Sequence, residues 1–126
     1  FAVKNFLNQI KLLDNGDTMK TGNLETQRDF IDVRDAVIFM WQIINNKKSY
    51  GKIINLCSGR PVKIREILSF LLKESEKDLK ISSIIDLLRK DDSKLHYGNN
   101  SLLREIIGEY DFIPWKESLK HIIKNE

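Results

Sequence analysis

The residues best equipped for chemistry are an arginine and three aspartates in the run Arg28-Asp29-Phe30-Ile31-Asp32-Val33-Arg34-Asp35. A guanidinium presents a planar fork of donors that matches carboxylate or phosphate. Arg28 sits just before a strand-to-helix junction, where the fold would hold it, so anion binding is one reading. A structural ion pair to Asp29, Asp32 or Asp35 fits the spacing equally well. The aspartates also have local work, because Asp32 followed by Asp35 reads as a helix N-cap and a first-turn acid. Just upstream, Gly22-Asn23 is turn chemistry, since both residues tolerate positive φ.

Other chemistries find little support. His96 and His121 have no carboxylate or cysteine partners at ligand spacing and no nucleophile at a recognisable interval, so both read as surface histidines and no metal site is expected. Cys57 is the single cysteine, which excludes an intramolecular disulfide and points to a reducing compartment. No apolar run has the length of a membrane span, and a cytoplasmic location is expected. Ser58-Gly59 follows a candidate strand but lacks the glycine spacing of a phosphate loop. Net charge is +3 with a pI near 9.0, compatible with an anionic ligand. The lysines are scattered among acids, so nucleic acid is not required.

At 126 residues with 41% hydrophobic and 31% charged content, the chain has room for one globular domain. Val3, Phe6, Leu7, Ile10 and Leu13 predict a helix over 2–14, stopped at Asn15-Gly16. Lys4 lies in its first turn, where free amides favour anions, though a solvated face explains it as well. A short strand leads into Gly22-Asn23, and Phe30 and Ile31 place a second strand over 28–31. Val33, Val37, Met40, Trp41 and Ile44 form one apolar stripe, predicting a helix over 33–46 that turns the stripe to the core. Lys52–Cys57 reads as a buried strand, with Ile53, Ile54 and Leu56 packed inside. A helix over 64–74 follows, burying Ile64, Ile67, Leu68, Leu71 and Leu72. Lys63 occupies its N-cap, and the missing hydroxyl should weaken that start by roughly 0.5–2 kcal/mol. Residues 80–85 suit strand or helix equally. Asn99 or Asn100 caps a short helix that ends at Gly108, and Pro114 opens a last one over 115–124. The pattern is a mixed α/β domain.

Three blocks resemble the extended short-chain dehydrogenase/reductases, the NAD-dependent epimerase/dehydratase family. The branch they most resemble holds the GDP-mannose 4,6-dehydratases and GDP-4-keto-6-deoxy-mannose reductases. Gly22-Asn23-Leu24 through Asp35 is similar to that family's Gly-Asn-Leu-x-x-x-Arg-Asp-Phe-x-Asp-Val-x-Asp. Asn55-Leu56-Cys57-Ser58-Gly59 with Ile64-Arg65-Glu66-Ile67 is similar to its Tyr-Asn-x-x-Ser-Gly and following helix start, with Ile54 in place of the tyrosine. Arg89-Lys90-Asp91-Asp92 through Gly98-Asn99-Asn100-Ser101-Leu102 is similar to its Arg-Pro-x-Asp/Glu and Gly-Asp/Asn-x-Ser-Lys-Leu, with Lys90 in place of the proline. The family's Gly-Trp-x-Pro is replaced by Gly108-Glu109-Tyr110-Asp111.

The resemblance implies a small mixed α/β substrate-binding domain over residues 1–126, the C-terminal portion of a Rossmann-type enzyme, with the Rossmann core outside this chain. It implies that Arg28 and Arg89 contact the phosphates of a nucleoside-diphosphate sugar, such as GDP-mannose or GDP-4-keto-6-deoxy-mannose, with Lys4 and Asn23 as secondary candidates. It also implies NAD(P), bound by the missing Rossmann half in the same or another chain. This chain has neither the Gly-x-x-Gly-x-x-Gly turn for a dinucleotide nor the Tyr-x-x-x-Lys pair that moves protons in this family. It opens at Phe1 directly into helix, which reads as a fragment that is inactive alone. Such a fragment would expose its docking patch and form a homo-oligomer through it. The competing expectation is a protein-interaction or small nucleic-acid-binding module with no enzymatic role.

Overall fold

A central strand only three residues long organises the molecule. In the computed structural model, which describes residues 2–84 and 93–125, β2 (Gln27–Asp29) is flanked on both sides. On one side it runs antiparallel to β3 (Pro61–Lys63), with Arg28 opposite Val62. On the other it runs parallel to β5 (Leu95–His96), with Arg28 opposite His96. A separate two-stranded parallel sheet joins β1 (Thr18–Thr21) to β4 (Lys80–Ser83).

Helices close the core. Helix α1 (Ala2–Leu12) turns Phe6, Leu7 and Ile10 inward, as its spacing predicts. They meet Ile64, Ile67, Leu68 and Leu71 of α3 (Ile64–Glu74), with Met19, Leu24, Leu79 and Leu119 completing the cluster. Gln9 fastens α1 to β1, accepting from the Lys20 amide and donating to the Lys20 carbonyl, each at 2.9 Å. Helix α5 (Trp115–Asn125) covers α3, its Trp115 packed edge-to-face on Phe70. Helix α4 (Ser101–Ile107) is short; Asn99 Oδ1 accepts from the Ser101 amide, and Gly108 ends it with φ +82°.

Several expectations are corrected. The strand expected over 28–31 is Gln27–Asp29, and Phe30 leaves it to pack beside the core. The 80–85 ambiguity resolves to strand over Lys80–Ser83. Residues 52–57 are not a strand, and Ile53 is 95% exposed. A strand exists through its hydrogen bonds, and among the described residues none runs alongside this segment.

The largest reversal concerns α2 (Val33–Ile44). The helix forms where expected, capped by the Asp32 carboxylate on the Arg34 amide. Its apolar stripe faces away from the core: Val33, Val37, Met40, Trp41 and Ile44 are 73, 56, 45, 70 and 68% exposed. The buried side holds Asp35 and Phe39 instead. Phe39 stacks edge-to-face on Tyr110 and Phe112, and that cluster decides which way the helix turns.

Candidate functional site

The Arg-Asp-Phe-Ile-Asp-Val-Arg-Asp run lies along β2 and into the first turn of α2, and each of its aspartates reaches a different distant segment. Asp29 Oδ1 accepts from the Ser58 amide at 3.0 Å and the Ser58 hydroxyl at 2.6 Å. Its Oδ2 accepts from the Gly59 amide at 2.8 Å and, at 3.5 Å, from the Gly98 amide. Both glycines are required for this approach. Gly59 has φ +73°, and a Cβ on Gly98 would overlap the Cys57 sulfur. Asn100 Nδ2 reinforces the joint by donating to the Cys57 and Ser58 carbonyls.

Asp32 and Asp35 tie down the C-terminal stretch. Asp32 forms a two-pronged pair with Arg34 and accepts from Ser118 Oγ of α5 at 2.5 Å. The Arg34 bonds outweigh the burial penalty and hold this carboxyl well below the usual range. Asp35 is fully buried, accepting from Tyr110 Oη at 2.8 Å and from the Ile113 amide at 2.9 Å. The bond to Asp35, aided by burial, pushes the Tyr110 phenol up.

Arg28 lies on β2 opposite Val62 and His96. Its Nη1 donates to the Gln27 carbonyl and, at 2.8 Å, to the Ser93 carbonyl at the head of β5. The guanidinium therefore lies against the start of the segment that follows Arg89 in sequence. Arg89 itself lies outside the described residues. Asp29, Asp32 and Asp35 each accept hydrogen bonds from segments other than Arg28.

Asn23 stands in the turn before β2. Its side-chain oxygen accepts from the Glu25 amide at 3.0 Å, an Asx turn that shapes the loop. Asn23 also lines a shallow groove with Glu25, Arg65 and Ser83, bridged by a 2.6 Å Arg65–Glu25 ion pair. Lys4 is exposed in the first turn of α1, on another element from Arg28 and Asn23. Burial, with Asp29 nearby, pushes the Cys57 thiol up. Among the described residues no group of His, Cys, Asp and Glu could hold a metal ion.

Sequence reading missed the reach of Asp29 and the inward face of Asp35. The available signal was the pairing of Asp29 with a downstream Ser-Gly turn, whose adjacent amides suit one carboxylate.

The family model for GDP-mannose 4,6 dehydratase matches residues 1–105. The chain belongs to that family. A GDP-6-deoxy-D-mannose reductase of Pseudomonas aeruginosa is 25% identical over 128 residues, covering 99% of this chain and 42% of the relative. A GDP-6-deoxy-D-talose 4-dehydrogenase of Aggregatibacter actinomycetemcomitans is 29% identical over 109 residues, covering 86% of this chain and 37% of the relative. The solved structure of RMD from Pseudomonas aeruginosa, complexed with NADPH, superposes with a TM-score of 0.80 at 25% identity, covering 98% of this chain and 40% of that one. The chain thus spans about two-fifths of the length of these relatives, and its fold is that of the C-terminal portion of an extended short-chain dehydrogenase/reductase. No described helix is long and apolar enough to cross a membrane.

Proposed function

We propose that residues 1–126 form the substrate-binding part of an NAD(P)-dependent nucleotide-sugar reductase or dehydratase, and that Arg28 and Arg89 grip the diphosphate of a GDP-linked 6-deoxyhexose or mannose. The observation that carries this reading is Arg28 on the central strand, in the family's own block, laid against the head of the segment that follows Arg89. A guanidinium anchored to backbone carbonyls loses little freedom on meeting a phosphate, and so binds at low ordering cost.

The nicotinamide would supply hydride transfer. This chain's residues do not fit that cofactor: its six glycines form no dinucleotide turn, and no tyrosine has a lysine four residues on. Its own contribution is positioning, fixing the diphosphate so that the hexose presents one carbon to the chemistry.

The outward face of α2 and the 52–57 segment would rest against the nucleotide-binding remainder of the protein. That face carries Val33, Val37, Met40, Trp41 and Ile44, and the 52–57 segment carries the exposed Ile53.

The deciding experiment is Arg28→Lys in the full-length protein, with GDP binding followed by calorimetry. Lysine keeps the charge and loses the planar fork, so affinity should fall about tenfold while the melting temperature holds. A lowered melting temperature with unchanged affinity would make Arg28 a structural residue and end the proposal.

A further inference from the structure

We propose that Asp29 is the positioning residue of this anion grip: its carboxylate locks the 58–59 turn and the end of the β5 segment to the strand that carries Arg28. The inference rests on the diphosphate reading of Arg28. Neighbouring residues of β2 pin the two ends of one stretch, Arg28 through the Ser93 carbonyl at 2.8 Å and Asp29 through the Gly98 amide at 3.5 Å. Between them the Gln27 amide donates to the Lys94 carbonyl. Residues 93–98 are therefore set in place from β2. The other three donors to Asp29, the Ser58 amide and hydroxyl and the Gly59 amide, lie within 3.0 Å. They tie the same strand to the end of the 52–57 segment. One carboxylate thus joins the anion grip to the segment assigned to docking. Its charge is consumed by these donors, which removes much of the repulsion an arriving diphosphate would otherwise meet.

An amide in place of this carboxylate cannot accept from both the Ser58 and Gly59 amides with its NH₂ group, so Asp29→Asn opens the joint without changing size. In the full-length protein, Asp29→Asn should weaken GDP binding about tenfold at a temperature where circular dichroism is unchanged. A residue that acts through Arg28 adds little once Arg28 is altered. The double variant Arg28→Lys, Asp29→Asn should therefore bind GDP within about twofold of Arg28→Lys alone. Unchanged affinity in Asp29→Asn, or losses that multiply in the double variant, overturns the inference. If Asp29→Asn fails to fold, Ser58→Ala removes one donor and should weaken GDP about threefold; no change there overturns the inference as well. Loss of affinity in Arg28→Lys with none in Asp29→Asn defeats this inference alone. No loss in Arg28→Lys defeats the proposed function with it.

Discussion

Helices α2 and α3 begin alike and end up in opposite situations. Each follows an extended residue, Asp32 at φ −70°, ψ 141° and Lys63 at φ −68°, ψ 137°. Each carries an apolar stripe at helical spacing. Helix α3 buries Ile64, Ile67, Leu68 and Leu71, whereas α2 leaves Trp41 70% exposed and buries an aspartate. Periodicity states that a face is apolar; it does not state what will cover it. For α3 the cover is α1 and α5. For α2 we propose that it is the rest of the protein, so the same pattern reports an internal core in one case and a docking face in the other.

The largest expected effect separates the two faces. Leu71 is fully buried, and Leu71→Ala should destabilise the 126-residue chain by about 2–5 kcal/mol through lost burial and a cavity. Trp41→Ala in the same chain should change its stability by no more than about 0.5 kcal/mol. In the full-length protein Trp41→Ala should cost several times that. Chemical denaturation of both variants in both contexts checks it. An equal Trp41 effect in the two contexts would remove the docking reading of α2.

The next effect concerns how α2 can bury a carboxylate. Asp35 is tolerated because Tyr110 and the Ile113 amide satisfy it. Tyr110→Phe keeps the ring against Phe39 and deletes one donor, and should cost about 1–3 kcal/mol by thermal or urea unfolding. The phenol's raised value means that its contribution is present below the ordinary 10 and is lost as pH climbs above it toward the folded value. Tyr110→Phe should flatten that alkaline loss; a slope that stays the same would place the titration elsewhere.

Helix limits and the inward faces of α1 and α3 were legible in the sequence because local spacing decides them and their partners lie within this chain. Asp32 as a cap was legible for the same reason. The 52–57 segment and the α2 stripe were misplaced because both are apolar and β- or helix-forming, and a pattern does not state what lies against it. Asp29 was hidden for another reason. Its donors lie 29, 30 and 69 residues downstream, and a carboxylate satisfied by backbone amides leaves no charge partner to read.

A smaller effect lies at the start of α2. The Asp32 carboxyl is held well below its ordinary 3.8 by Arg34 and Ser118. A lowered folded value gives stability that is present above the ordinary value and lost as pH falls below it toward the folded one. Ser118→Ala should therefore make acid unfolding begin at a higher pH, with little change near neutrality beyond the lost hydrogen bond. Coincident acid transitions, followed by circular dichroism, would exclude Asp32 as a source of acid sensitivity.

The smallest effect is expected at the matching start of α3. From sequence, Lys63 looked like a missing cap worth roughly 0.5–2 kcal/mol. The structure supplies a substitute: the Ile64 amide donates to the Thr26 carbonyl at 2.9 Å and the Arg65 amide to the Leu24 carbonyl at 3.0 Å. Two of the first-turn donors that an N-cap would leave to water are thus already met by the turn before β2. Lys63→Ser could newly satisfy only the third-position amide, Glu66, and adds no contact to the core. Its gain in unfolding free energy should stay below about 0.5 kcal/mol, against about 1 kcal/mol lost when Asp32→Ala removes the working cap of α2. A gain at Lys63 as large as the Asp32 loss would mean that the carbonyls of Leu24 and Thr26 do not cap α3, and that the first turns of α2 and α3 differ only in their side chains.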